Sequence, residues 1–350
     1  MTPNAKRVFY VNAVAHPVFL EIIGRRPDVL LDRLTNDSPL TEAAPVLAQA
    51  HGYQIGATRD ELGLAYHGTA DLLARAPRLL AISSNGAGYD TVDVDACTEA
   101  GVAVVNQTGG NKEGVAEHVL GLMLALSKRI GETDRFMRAR RDIPRVAYMG
   151  HDILGMTVGI IGLGNVGSRV AELCRGLFRM RVLAYDPYLS AEQIAARGGE
   201  KVSLDDLLAQ ADFVSVNCPR TKETLGMIGA REYALMKPSA YFVTTARGGI
   251  HDEAALAEAL AAKRLAGAGL DVWAKEPPEP DHPLLRFENV LASPHTAGVT
   301  HESRREMGRF AAEQMLDILD GKRPPRLVNP EVWPRYRERF ESILGFAAEG

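Results

Sequence analysis

Thr157-Val158-Gly159-Ile160-Ile161-Gly162-Leu163-Gly164-Asn165-Val166-Gly167 decides how this chain is read. The first five residues are an apolar, β-prone run. Gly162, Gly164 and Gly167 follow at the spacing G-x-G-x-x-G, and Val166, Val170, Leu173 and Leu177 then recur at helical intervals. Strand, glycine turn and helix in this order make a cradle for a pyrophosphate. One glycine permits the tight turn, the next lets the backbone approach the phosphates, and the third lets the helix pack close on the strand. The helix N-terminus adds N–H groups and the positive end of its dipole.

A lone glycine motif is weak, and its surroundings make this one strong. Asp186 stands 22 residues beyond Gly164, at the end of the strand-like run Arg181-Val182-Leu183-Ala184-Tyr185. A carboxylate there accepts hydrogen bonds from ribose hydroxyls and repels a 2′-phosphate. NAD is therefore expected rather than NADP.

The same alternation of short apolar runs and longer helical ones extends in both directions, the pattern of an α/β protein with parallel sheets. Downstream, strands are expected at 157–161, 181–185, 213–217, 240–244, 267–272 and 289–292. Upstream, residues 7–107 read as a second α/β unit, with strands at Val8–Val11, Leu79–Ser83 and Val102–Asn106. A long helix is expected over 113–130, apolar around so much of its circumference that burial on several sides follows. A domain or dimer contact would supply that burial. The arginine-rich stretch 131–151 reads as a solvated face or a subunit contact. A final long helix near 300–320 reaches back to the first unit, and the tail 330–350 packs as a short helix.

Bulk properties narrow the function. At 350 residues the chain exceeds one ordinary core, and 46% hydrophobic with 24% charged residues is a globular composition. A net charge of −4 gives no electrostatic case for nucleic acid or an acidic membrane. Cys97, Cys174 and Cys218 form no CxxC pair and suit a reducing cytoplasm. The N-terminus carries no long apolar region of the signal-peptide type. His295, His301 and Glu302 are too loosely spaced for a metal site, so none is expected.

Three residues carry the chemistry. Arg247 follows Tyr241-Phe242-Val243-Thr244-Thr245-Ala246, at the carboxyl end of a strand where ligands of such sheets bind. Its planar fork can hold a carboxylate by two hydrogen bonds. His295 follows Val290-Leu291-Ala292-Ser293-Pro294. Reducing a carbonyl requires hydride at carbon and a proton at oxygen, and an imidazolium delivers that proton near neutral pH. Glu276 is placed to bond the other ring nitrogen and fix its tautomer. His282, in a Pro-Asp-His-Pro turn, and His118, on the long helix, carry no role in this reading.

These residues, with Gly86-Ala87-Gly88-Tyr89-Asp90, Asn111, Val115-Ala116-Glu117-His118, the run from Asn217 to Thr224, and Pro294-His295-Thr296-Ala297-Gly298, give the chain its resemblance to the D-isomer-specific 2-hydroxyacid dehydrogenases. The match runs from about Leu79 to Asn329. The resemblance implies two doubly wound parallel-sheet domains with a cleft between them. A Rossmann NAD domain would span 108–301, and a discontinuous flavodoxin-like substrate domain 1–107 and 302–350. It implies Arg247, Glu276 and His295 as the catalytic trio. Ala87, Gly88 and Asn111, with Arg247 and His295, would bind substrate. Gly162, Gly164, Asn165, Val166, Gly167, Asp186, Cys218, Pro219, Thr224, Thr245, Ala246 and Asp271 would hold NAD. A homodimer acting on a small 2-oxo or 2-hydroxy acid is the expected form, through the helix near 113–130. The first 75 or so residues carry none of the motifs behind this resemblance, and no further C-terminal regulatory domain is expected. Two other readings stay open: an NAD(H)-sensing interaction protein of the same fold, and a dehydrogenase of a non-carboxylate such as phosphite. Glu276 stands where formate dehydrogenases carry Gln, which argues against formate.

Overall fold

Short apolar runs separated by amphipathic helices resolve into two parallel sheets. The structure is a computed structural model that describes residues 5–57, 62–139, 142 and 144–349, without the side chain of Leu40. Arg140 and Arg141 of the arginine-rich stretch lie outside the described residues, as do the first four residues. The chain divides into two compact units, Met1–Asn111 with His301–Gly350, and Lys112–Thr300.

The first unit contains β1 (Lys6–Val11), β2 (Val29–Leu34), β3 (Gly52–Ile55), β4 (Ala81–Ser84) and β5 (Ala103–Val105). Their order is β2-β1-β3-β4-β5, all parallel, the flavodoxin-like winding. Both faces of this sheet are covered, so its central strands are apolar without alternation. Phe9 stacks on Tyr53 at 4.1 Å on one face, while Val8 meets Met315 of the helix His301–Leu319 on the other. The helix Trp333–Leu344 adds Trp333, Tyr336 and Phe340 to a further cluster with Leu80 and Val105. The return of the last helices to this unit is thus driven by apolar burial.

The second unit contains β6 (Thr157–Ile161), β7 (Arg181–Tyr185), β8 (Glu200–Lys201), β9 (Phe213–Val216), β10 (Tyr241–Thr244), β11 (Gly267–Leu270) and β12 (Val290–Ala292). The order β12-β11-β10-β9-β6-β7-β8 is parallel throughout. The chain starts in the middle at β6, winds outward to β8, and returns to β9 on the other side of β6. That reversal opens a crevice beyond the carboxyl ends of β6 and β9.

Several local expectations shift. The long helix spans Lys112–Ser127 and stops before Arg129, whose φ of 54° is left-handed. A second helix, Ile130–Ala139, follows with no buried residue. The wide burial of the first helix is supplied within its own unit, by the helix Asn165–Phe178 and by β10 and β11. The stripe that buries the Asn165–Phe178 helix is Gly167, Val170, Ala171 and Cys174, and Leu177 faces outward. β11 ends at Leu270, short of the expected residue 272, because Asp271 turns its carboxylate onto the segment after β12. Among the described residues no helix is long and apolar enough to cross a membrane.

Candidate active site

The glycine turn follows β6 directly. Gly162 has φ 87°, a conformation that side chains resist, and a Cβ there would press on Cys218. A Cβ on Gly167 would collide with the Gly162 carbonyl oxygen, so the helix could not approach the strand. Gly164 differs: apart from its own chain neighbours, no atom of the described residues lies within 4 Å of the position its Cβ would take. The protein leaves open the space that a pyrophosphate would fill. Asp186 closes the turn from the next strand, its Oδ2 accepting from Leu163 N at 3.0 Å and its Oδ1 from Tyr188 N at 3.1 Å. Beside the turn lies a cavity of about 510 Å³ lined by Lys112, Gly164, Asn165, Ser168, Arg169, Glu172 and Arg197. Three cations against one carboxylate suit a phosphate-bearing ligand.

At the neighbouring strand ends, Asn217 Oδ1 and Thr245 Oγ1 are buried without a hydrogen-bond partner. Buried polar atoms of this kind are uncommon, and they fit the polar groups of a dinucleotide. Cys218 is half-buried, and burial pushes its thiol up to about 11, so it lines the crevice as a neutral group. Thr224 and Asp271 are already engaged by the protein. Thr224 Oγ1 donates to Pro219 O at 2.7 Å and accepts from Thr221 N at 2.8 Å. The Asp271 carboxylate is wholly buried and accepts from Ser293 Oγ at 2.6 Å, Thr296 N at 2.8 Å and Ala297 N at 2.9 Å.

Arg247, Glu276 and His295 come together at the ends of β10, β11 and β12. The approach of the first two depends on Gly248, where any Cβ would run into the backbone of Trp273 and Ala274. Glu276 Oε2 meets His295 Nδ1 at 2.7 Å, and its Oε1 accepts from Trp273 N at 3.1 Å. Burial raises the Glu276 pKa, but the hydrogen bond and charge of His295, the Trp273 N–H and the charge of Arg247 outweigh it and hold the carboxyl below its ordinary range. An ionised Glu276 accepts a hydrogen bond from Nδ1–H, which leaves Nε2 as the nitrogen for proton exchange with a ligand. His295 has φ 55°, an uncommon conformation for a histidine, fixed by its N–H to Asp271 O at 2.7 Å. Arg247 donates to its neighbour's carbonyl, Ala246 O, at 2.8 Å.

This arrangement is a dinucleotide cradle with a cation and a carboxylate-supported imidazole on one sheet. Residues 120–297 match the family described as D-isomer specific 2-hydroxyacid dehydrogenase, NAD binding domain. The chain belongs to the D-isomer specific 2-hydroxyacid dehydrogenase family. It is 43% identical over 278 residues to a D-3-phosphoglycerate dehydrogenase of Archaeoglobus fulgidus, covering 79% of this chain and 52% of that one. It therefore spans about half the length of that relative. It is 40% identical over 268 residues to a glyoxylate reductase of Korarchaeum cryptofilum, covering 75% of this chain and 80% of the relative. Among solved structures it is similar to a glyoxylate reductase from Paecilomyes thermophila, with a TM-score of 0.80, 28% identity, and coverage of 93% and 99% of the two chains. The Lys112–Thr300 unit is thus the nicotinamide-dinucleotide-binding domain of a family of oxidoreductases.

In this family member the glycine-rich loop after β4 is built with care. Ser84 Oγ donates to Gly88 O at 2.8 Å, and Asn106 Nδ2 donates to Ala87 O at 2.9 Å. Both carbonyls are therefore pinned, while among the described residues the N–H groups of Ala87 and Gly88 have no partner. Asn111 is half-buried at the last position of the first unit. Two residues beside the His295–Glu276 pair escaped sequence reasoning. Ser293 sits two residues before His295 and feeds Asp271. His118, set aside as an ordinary helix residue, meets Ser293 Oγ through Nε2 at 3.0 Å. The motif Ala116-Glu117-His118 is plain in the sequence, but only the packing of the helix against β11 and β12 gives His118 a partner.

Proposed function

We propose that this protein is an NAD-dependent dehydrogenase that interconverts a small 2-oxo acid and its D-2-hydroxy acid. The observation that carries this reading is the 2.7 Å contact between His295 Nδ1 and Glu276 Oε2, with Arg247 on the adjoining strand end. The nicotinamide, when bound, supplies or accepts hydride at C2 of the substrate. In the reducing direction the proton on His295 Nε2 passes to the carbonyl oxygen, and Glu276 keeps the ring oriented through Nδ1 as its charge changes. The Arg247 guanidinium holds the substrate carboxylate. Ala87 and Gly88, in the first unit, are substrate-binding residues of this reading through their N–H groups. Gly162, Gly164, Asn165, Val166 and Gly167 hold the pyrophosphate, and Asp186 the ribose, which favours NAD over NADP. Cys218, Pro219, Thr224, Thr245, Ala246 and Asp271 border the remaining parts of the dinucleotide, and Asn111 the substrate.

Similarity to a D-3-phosphoglycerate dehydrogenase and a glyoxylate reductase favours hydroxypyruvate, glyoxylate or a phosphoglycerate-like acid. A homodimer is supported by the helix Ile130–Ala139, which buries nothing, and by exposed Ile130, Met137, Val146, Met149 and Leu154 in and after it. Three unpaired cysteines are in keeping with a cytoplasmic protein. The test is oxidation of NADH against a panel of 2-oxo acids, with His295→Ala alongside the wild type. The reading requires one acid to be reduced well, and the variant to lose turnover while still binding NADH. Full turnover in His295→Ala would remove the proton-transfer role.

A further inference from the structure

We propose that His118 is a positioning residue for His295, acting through Ser293 and Asp271. The proposal rests on His295 being the proton carrier.

The chain of contacts lies wholly within the Lys112–Thr300 unit. His118 Nε2 lies 3.0 Å from Ser293 Oγ, which lies 2.6 Å from Asp271 Oδ1. Proton accounting fixes the direction. An ionised carboxylate only accepts, so the one hydroxyl proton of Ser293 points at Asp271. The Ser293 oxygen must then accept from His118, whose Nε2 carries a hydrogen. The same nitrogen stands 3.8 Å from Asp271 Oδ1, and among the described residues no lysine or arginine pairs with that wholly buried carboxylate.

Asp271 in turn shapes the segment that presents His295. Its carbonyl accepts His295 N at 2.7 Å, and its carboxylate accepts Thr296 N at 2.8 Å and Ala297 N at 2.9 Å. Three bonds from one residue hold the backbone around the left-handed His295. Ser293 is fixed from a further side, because Trp273 Nε1 donates to its carbonyl at 3.1 Å. Without the His118 donor, the Ser293 hydroxyl is free to turn, and Oδ1 of Asp271 loses one of its two close partners. The imidazole would then be presented less accurately to the substrate oxygen. Proton transfer is sensitive to such misplacement, whereas NADH binding at the glycine turn is not.

The experiment uses the full chain, saturating NADH and the 2-oxo acid that the wild type reduces best. His118→Ala, Ser293→Ala and the double variant are compared, together with His118→Gln, whose amide can donate to Ser293. The expected result is a fall in kcat of about ten-fold in each single variant, with KM and the NADH Kd within about two-fold. The double variant should be no worse than either single, because both break one chain. His118→Gln should recover most of the loss. Wild-type kcat in His118→Ala overturns the proposal, as do multiplicative losses in the double variant. A folded His118→Gln, with wild-type melting temperature, that is no better than His118→Ala overturns it too. A wild-type chain that reduces no 2-oxo acid sinks the dehydrogenase reading itself, and with it this one.

Discussion

Replacing Glu276 by Gln tests the site at its centre. The change is nearly isosteric, so packing is kept, but the two bonds of the carboxylate cannot both survive. Oε2 takes the Nδ1–H of His295 at 2.7 Å while Oε1 takes Trp273 N at 3.1 Å. An amide has one oxygen. If it serves His295, its NH2 group faces the Trp273 N–H, a donor against a donor. The bond to His295 also falls from charge-assisted to neutral, a loss of about 1 kcal/mol. Leaving a donor unpaired in a half-buried setting adds about 1 kcal/mol more. Together this is about 2 kcal/mol, or roughly thirty-fold in kcat/KM. NADH oxidation with the preferred 2-oxo acid measures it, and NADH titration by fluorescence serves as the binding control. Glu276→Gln within two-fold of wild type would refute the argument that this carboxylate orients the imidazole.

Other expectations follow from single contacts. Asp186→Ala should weaken NAD much more than NADP, read as the ratio of their Kd values; equal weakening would remove the ribose assignment. Gly167→Ala should abolish dinucleotide binding or destabilise the unit, because its Cβ meets the Gly162 carbonyl oxygen; calorimetry and NADH titration together would tell, and an unchanged protein contradicts the packing described. In the other unit, Asp320 hydrogen-bonds Arg26 at 2.8 Å and Lys6 at 3.0 Å. The Arg26 bonds, against the opposing effect of burial and with help from Lys6, hold its carboxyl at about 2. A folded value below the ordinary 3.8 means stabilisation complete above that pH and lost as pH falls toward 2. Asp320→Asn should therefore cost about 2 kcal/mol in urea unfolding at neutral pH and little near pH 2; equal loss at both would contradict the sign.

The nucleotide-binding unit was legible because its information is local. β6 and β7 fall where the apolar runs lie, and the turn between β6 and its helix is written in three glycines. Arg247, Glu276 and His295 were legible because each closes a motif at a strand end. β2 and β3 were harder: β2 reads Val-Leu-Leu-Asp-Arg-Leu, and its Asp32 is explained only by its bond to Arg7 on β1, at 2.8 Å. The stripe of the Asn165–Phe178 helix was misplaced because small residues face the sheet, and size rather than hydropathy decides there. The contact of His118 could not be read, since its partner is 175 positions away. Nothing in Ala-Glu-His announces a serine on another strand end.

The glycine turn, Asp186, Arg247, Glu276 and His295 all lie between Lys112 and Thr300. The glycine turn and the Arg247, Glu276 and His295 side chains are therefore encoded together, as one uninterrupted stretch of polypeptide. The discontinuous unit contributes none of these groups. Substitutions confined to residues 5–111 leave the identity of every one of these groups unchanged.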